Sequence, residues 1–206
     1  MMKNKHIKGL LIASGFAVIG LVGAIGGTYA LFNRSLSVVT HVKVGNLNFS
    51  FRRTNLKQKV LNDSGYLEEK VDNSVLDLTE NGAQAFDLDS IVPGSEVEST
   101  FALSNTGGTA FETAFSLLNV TVKDGDETIS NASWLDNISV KCIKEGTEEA
   151  SFTLGDLRSV NLGDLAKGAE MTFSLKLSFD ANAIGNEMQS KDISFAMRLN
   201  CAQVVE

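Results

Sequence analysis

The sequence predicts an all-β protein, an antiparallel sandwich or barrel that follows an N-terminal signal helix. Three observations carry this. Several stretches alternate apolar and polar residues with the two-residue period of a half-buried strand. Glycine and Asx turn signals separate them at short intervals. Outside the first 30 residues no long 3.6-residue amphipathic pattern competes.

The clearest alternation runs from Lys191 to Cys201, with Ile193, Phe195, Met197, Leu199 and Cys201 on one face. Met171, Phe173, Leu175, Leu177 and Phe179 repeat it. Val97, Phe101 and Leu103 form a third face, Phe111, Phe115 and Leu117 a fourth, and Ile138, Val140 and Cys142 a fifth. Turns are expected at Pro93-Gly94, Asn105 to Gly108, Asp124-Gly125, Glu145-Gly146 and Gly185-Asn186. Residues 36–51 read as one unusually long strand, with Leu36, Val38, Thr40, Val42 and Val44 on one face. Residues 52–83 are polar and charge-mixed and read as a loop or insertion, with a short helix near Tyr66 to Val71.

The chain has 206 residues, of which 43% are hydrophobic, enough for one well-cored domain over residues 31–206. Charge is uneven. Three lysines, Lys3, Lys5 and Lys8, fall in the first 30 residues without an acidic residue, leaving 15 basic against 25 acidic residues downstream, a formal −10. So acidic a body lacks the basic footprint of a nucleic-acid binder.

Residues 1–30 have the plan of a secretory signal: a basic start, an uncharged apolar run from Gly9 to Gly27, and small residues at Thr28 and Ala30. Cleavage is expected after Ala30, so that the mature chain begins at Leu31 and meets the membrane only through the signal. The apolar run also approaches a bilayer-spanning length, which leaves a retained anchor as the alternative. Export gives meaning to the only two cysteines, Cys142 and Cys201. In an oxidising compartment they form a candidate disulfide, and two buried free thiols are the alternative.

Chemistry is sparse. His6 lies in the signal, leaving His41 as the one histidine of the mature chain, with no second at metal-ligand spacing. No nucleophile elbow, phosphate loop or dinucleotide fingerprint occurs, so no catalytic residue, metal ligand or cofactor is assigned. Asp124-Gly125-Asp126 with Glu127 has the carboxylates of a calcium loop but also the Asp-Gly of a hairpin turn. Trp134 is the single tryptophan a carbohydrate surface could use; the twelve phenylalanines read as core.

Gly26-Gly27-Thr28-Tyr29-Ala30-Leu31-Phe32-Asn33, opening into a strand pattern that ends Val44-Gly45-Asn46-Leu47-Asn48-Phe49, resembles the export signals handled by SipW-type signal peptidases. It is most similar to the TasA/camelysin family of biofilm-matrix and cell-surface proteins of Gram-positive bacteria. Ile91-Val92-Pro93-Gly94-Ser95 and the following Phe101 to Gly107 resemble the same family. Asn33-Arg34 departs from it, standing where an acidic residue is common.

The resemblance implies a jelly-roll-like sandwich, and a secreted fibre, matrix or surface-layer subunit that associates with itself or with related subunits. In fibre-forming relatives the first strand of one mature subunit completes the sheet of the next, which makes Leu36, Val38, Val42 and Val44 the candidate donor strand. It also implies a metalloprotease alternative through camelysin. A monomeric surface adhesin or accessory module is the third reading.

Overall fold

A computed structural model describes residues 34–43, 48–80, 83–88, 91–129, 132–156, 158–182 and 191–203. Thirteen strands and one short 3-10 turn appear among them. In chain order they are β1 (Arg34–Lys43), β2 (Phe49–Leu61), β3 (Leu67–Asp72), β4 (Leu76–Asp77), β5 (Gln84–Leu88), β6 (Glu96–Asn105), β7 (Phe111–Asp124) and β8 (Glu127–Ile129). The 3-10 turn Ser133–Asn137 comes next. β9 (Ile138–Lys144), β10 (Thr147–Thr153), β11 (Ser159–Leu165), β12 (Glu170–Phe179) and β13 (Lys191–Gln203) complete the chain.

The strands form two sheets. One has the order β11-β7-β13-β1-β5, with β8 also on β7; the other has the order β10-β9-β12-β6-β2-β3, with β4 also on β2. The expected inward residues of β6, β7, β9, β12 and β13 all enter one buried cluster between the sheets. At its centre Phe173 of β12 stacks on Phe101 at 5.4 Å, Phe115 at 5.7 Å and Phe51 at 6.2 Å between ring centroids. Phe115 belongs to β7, so this stack joins the two sheets. Aromatic pairs at such offsets add about 0.5–1.5 kcal/mol each beyond the area they bury.

The expected turns form for local reasons. Gly94 takes a left-handed φ of 88°, and its N–H donates to the carbonyl of Phe179 at 2.7 Å, pinning the Pro93-Gly94 turn to the end of β12. Glu145 and Gly146 are both left-handed, the geometry of a two-residue hairpin, and join β9 to β10. Asn105 ends β6 with its side chain buried: Nδ2 donates to the carbonyls of Thr109 and Leu165, and Oδ1 accepts from the N–H of Gly107. Gly185-Asn186 lies outside the described residues.

Three expectations change. Residues 36–51 are not one strand. The described ladder of β1 reaches Lys43, and Phe49 to Phe51 open β2 in the opposite sheet. Residues 52–83 are mostly strand rather than loop, because Phe51, Arg53, Leu56 and Val60 face inward along β2. A bulge between Arg53 and Asn55 shifts the alternation by one residue, which hides the period in the sequence. The stretch Tyr66 to Val71 holds no helix; it leaves a turn and becomes β3, paired to β2 from Leu61↔Leu67 to Leu56↔Asp72.

One pairing is also not antiparallel. β1 runs parallel to β13 through ten register pairs, from Arg34↔Ile193 to Lys43↔Ala202.

Candidate functional site: the first strand and the sheet edges

β1 sits inside its sheet, with β13 on one side and the short β5 on the other. Leu36 stands opposite Phe195 on β13 and opposite Phe86 on β5. Val38 stands opposite Met197, His41 opposite Asn200, and Val42 opposite Cys201. Val44, the remaining candidate donor residue, lies outside the described residues, as do the signal segment and its expected cleavage residues Thr28, Ala30 and Leu31. Among the described residues no helix is long and apolar enough to cross a membrane.

Among the described residues β5 pairs with nothing but β1 in its sheet, so β1 is the element that attaches it there. A second attachment comes from the opposite sheet. Arg53, 6% exposed, sends Nη1 to the carbonyl of Ala85 on β5 at 2.9 Å, and Nη2 to Asp72 at 2.6 Å and Ser74 at 3.1 Å. One guanidinium thus ties β2, the end of β3 and β5 together. The N–H and hydroxyl of Ser74 hold the Asp72 carboxyl below the usual carboxylate range, and the Arg53 charge adds to this. Sequence reading placed Arg53 in a polar loop. Its signal was the apolar spacing of Phe51, Leu56 and Val60 on either side, once a bulge is allowed.

Among the described residues β3 forms the free edge of the other sheet, and all six of its residues are exposed. The exposed large apolar residues of the described chain gather here: Tyr66, Leu67, Val71, Val75 and Leu76.

The two cysteines are free and buried. They hang from opposed sheets at different heights. Cys142 on β9 is paired with Leu175, whereas Cys201 on β13 is paired with Thr113. The hydroxyl of Thr113 meets the sulfur of Met171 at 4.0 Å, four residues before Leu175 on β12. Four strand residues are roughly 13 Å, and a disulfide needs Cα atoms within about 7 Å. Inward alternation established that both thiols face the core, but not that they face each other. Burial pushes both thiols up to about 12, with Glu149 adding to the effect at Cys142, so neither is a nucleophile at neutral pH.

The calcium candidate serves as a turn. Gly125 is left-handed between β7 and β8, and Asp124 is ion-paired with Lys191. Trp134 lies buried in the 3-10 turn, 7% exposed, and offers no platform for a sugar. Among the described residues no group of three or more His, Cys, Asp or Glu side chains is placed to hold a metal ion. Two open clefts, of about 390 and 430 Å³, lie beside the 3-10 turn; the first carries Glu96, Asp136 and Asp180 among serines, the second Val120, Ile129 and Leu135.

No family model matches this chain, and no curated protein matches its sequence. Among solved structures it is similar to the major pilin from Streptococcus pyogenes at 5% identity and a TM-score of 0.24, covering 83% of this chain and 48% of that one. The chain therefore spans about half the length of that pilin. It is also similar to the yeast delta-COP-I mu-homology domain at 9% identity and a TM-score of 0.20, covering 84% and 95% of the two chains. Likenesses this distant carry no functional argument.

Proposed function

We propose that this chain is a secreted structural subunit of an extracellular fibre, biofilm matrix or cell-surface layer, and that its first strand completes the sheet of a neighbouring copy. The observation that supports this is the position of β1. It is the first described strand, it lies between β13 and β5, and its register to β13 is carried by a backbone ladder of ten pairs. The same ladder is available to an identical strand from another molecule, so exchange changes the donor without changing the bonds.

Five residues separate Lys43 from Phe49, where the chain starts its strand in the opposite sheet. Where each copy gives its strand to one neighbour and receives one from another, the contact is head-to-tail and propagates. The acidic body opposes side-by-side clumping, which low pH or added salt relieves.

On this reading export precedes assembly. A SipW-type signal peptidase cleaves after Ala30 and frees Leu31 as the new terminus, which N-terminal sequencing of the exported protein checks. The assembly test is deletion of residues 31–44. Filaments should disappear in electron micrographs while a soluble β-rich fold persists, and a peptide of residues 31–44 added in trans should occupy the vacated groove. If the deletion unfolds the domain irrecoverably, or the mature chain stays monomeric across pH and salt, strand exchange is the wrong mechanism. A monomeric adhesin would then be the better reading.

A further inference from the structure

β3 is an exposed edge whose order of residues is complementary to itself. We propose that it is a second, independent association surface, and that its partner is β3 of another copy, paired antiparallel about Glu69.

Charges on an edge strand ordinarily keep other chains away. On β3 their order does the opposite. Directly opposed residues of an antiparallel pair lie on the same face, so a symmetric pairing must centre on a single residue. Centred on Glu69, the sequence Leu67-Glu68-Glu69-Lys70-Val71 sets Leu67 opposite Val71 of the second copy and Glu68 opposite its Lys70, each pair occurring twice. Tyr66 then meets Asp72 at either end. A centre on Lys70 would instead oppose Lys70 to Lys70 and Glu68 to Asp72. A centre on Glu68 would set Leu67 against Glu69. Only the Glu69 register satisfies both the apolar and the charged residues.

Its one conflict is Glu69 against Glu69 at the axis. On each side Glu69 stands opposite Lys59 of β2, on the outer face of the sheet, so a cation flanks each carboxylate.

The neighbourhood fits this occupant. The five exposed large apolar residues are confined to this one edge, and Leu67 and Val71, the two on the outer face, are the two that the pairing covers. The opposite edge of the same sheet differs. β10 reads Thr147-Glu148-Glu149-Ala150-Ser151, with adjacent carboxylates and no cation within the strand, and Lys141 of β9 already engages Glu148. The contact involves one strand of six residues per copy, so the expected dimer is weak and concentration-dependent.

Sedimentation of the mature protein over a concentration series, with charge exchange at the paired positions, tests this. Lys70→Glu and Glu68→Lys should each weaken the pairing by on the order of tenfold, since each turns two opposite-charge contacts into two like-charge ones. The double variant restores opposite charges and should recover wild-type affinity. Both positions are exposed, so the fold should be untouched, with circular dichroism and melting as controls. Glu69→Cys should give a disulfide-linked dimer under mild oxidation, well above Ser64→Cys on the neighbouring turn. Strand exchange through β1 is indifferent to these charges, so its presence or absence leaves the readout intact. Singles that associate like wild type, a double variant that does not recover, or Glu69→Cys cross-linking no better than Ser64→Cys would each overturn the proposal.

Discussion

β1 and β3 are both strands that another copy of this chain could pair with, and they differ in nearly every other respect. β1 has partners on both sides and runs parallel to the last strand of the chain. β3 has one partner, runs antiparallel to the strand just before it, and is exposed throughout. A neighbour can replace β1 only if β1 first leaves its sheet, whereas it can add to β3 with no bond broken. Availability to a partner therefore follows from place in the sheet rather than from composition: the more apolar strand is the one held inside. Exchange at β1 should accordingly be slow and persistent, and pairing at β3 fast and weak.

The largest effect should erase the comparison altogether. Phe173→Ala removes the ring on which Phe51, Phe101 and Phe115 converge, at a cost of about 3–5 kcal/mol in urea unfolding. Both sheets share that ring, so β1 and β3 should lose protection together. Thiol labelling follows the same event: neither Cys142 nor Cys201 should react in the native protein, and two thiols per chain should react once it is denatured.

Proline separates the two strands. At Leu36, flanked by Phe195 and Phe86, either direction of its N–H faces a ladder partner, and Leu36→Pro should cost more than about 2 kcal/mol. Glu69→Pro, at a position whose N–H points away from β2 to the open edge, should cost about 1 kcal/mol or less. Equal losses in thermal unfolding would show that β1 is no better held than an edge.

A third variant asks how the two regions communicate. Arg53→Met leaves the carbonyl of Ala85 without its donor and should cost about 1–3 kcal/mol. Because Arg53 ties β2 and Asp72 to β5, hydrogen exchange should rise first at Gln84 to Leu88, beside β1. Unchanged exchange in β5 would mean that β1 alone attaches it.

The smallest effect is that of acid on the same tie. The Asp72 carboxyl titrates below its ordinary value because Ser74 and then Arg53 favour its charged form. Its contribution is therefore complete above the ordinary carboxylate range and disappears as pH falls through the depressed value. Asp72 is exposed, so Asp72→Asn should lower neutral-pH stability only slightly and flatten the acid limb of the stability profile.

Much of the sandwich was legible in the sequence because a two-residue period survives wherever a strand is regular. β12 and the outer part of β13 show it without interruption, and Gly94, Glu145-Gly146 and Gly125 mark turns that need left-handed backbone. Legibility fails where a bulge shifts the phase. β2 loses its period between Arg53 and Asn55, and β7 is irregular near Asn119, a non-glycine residue with a φ of 55°. It fails again at β3, where all six residues are exposed, so the apolar Leu67 and Val71 on one face do not mark a buried side. The candidate site was legible in part. Leu36, Val38 and Val42 were marked as a strand, but Arg53 and the β3 edge fell in a segment read as a loop.

What the sequence determined alone was local: which residues turn inward, where the chain reverses, and that the body is acidic and β-rich. Each follows from side-chain alternation, backbone sterics or a count of charges. Partnership, by contrast, arises only in the folded chain. β1 and β13 are separated by nearly the whole chain, and nothing in a two-residue period names a partner or its direction. Cys142 and Cys201 each face the core, yet their heights depend on how two sheets slide over one another. That β3 ends as a free edge depends on which strand came last in its sheet. Pairing energy resides in backbone groups common to every residue, so these choices are made only when the whole set of strands competes for the same edges.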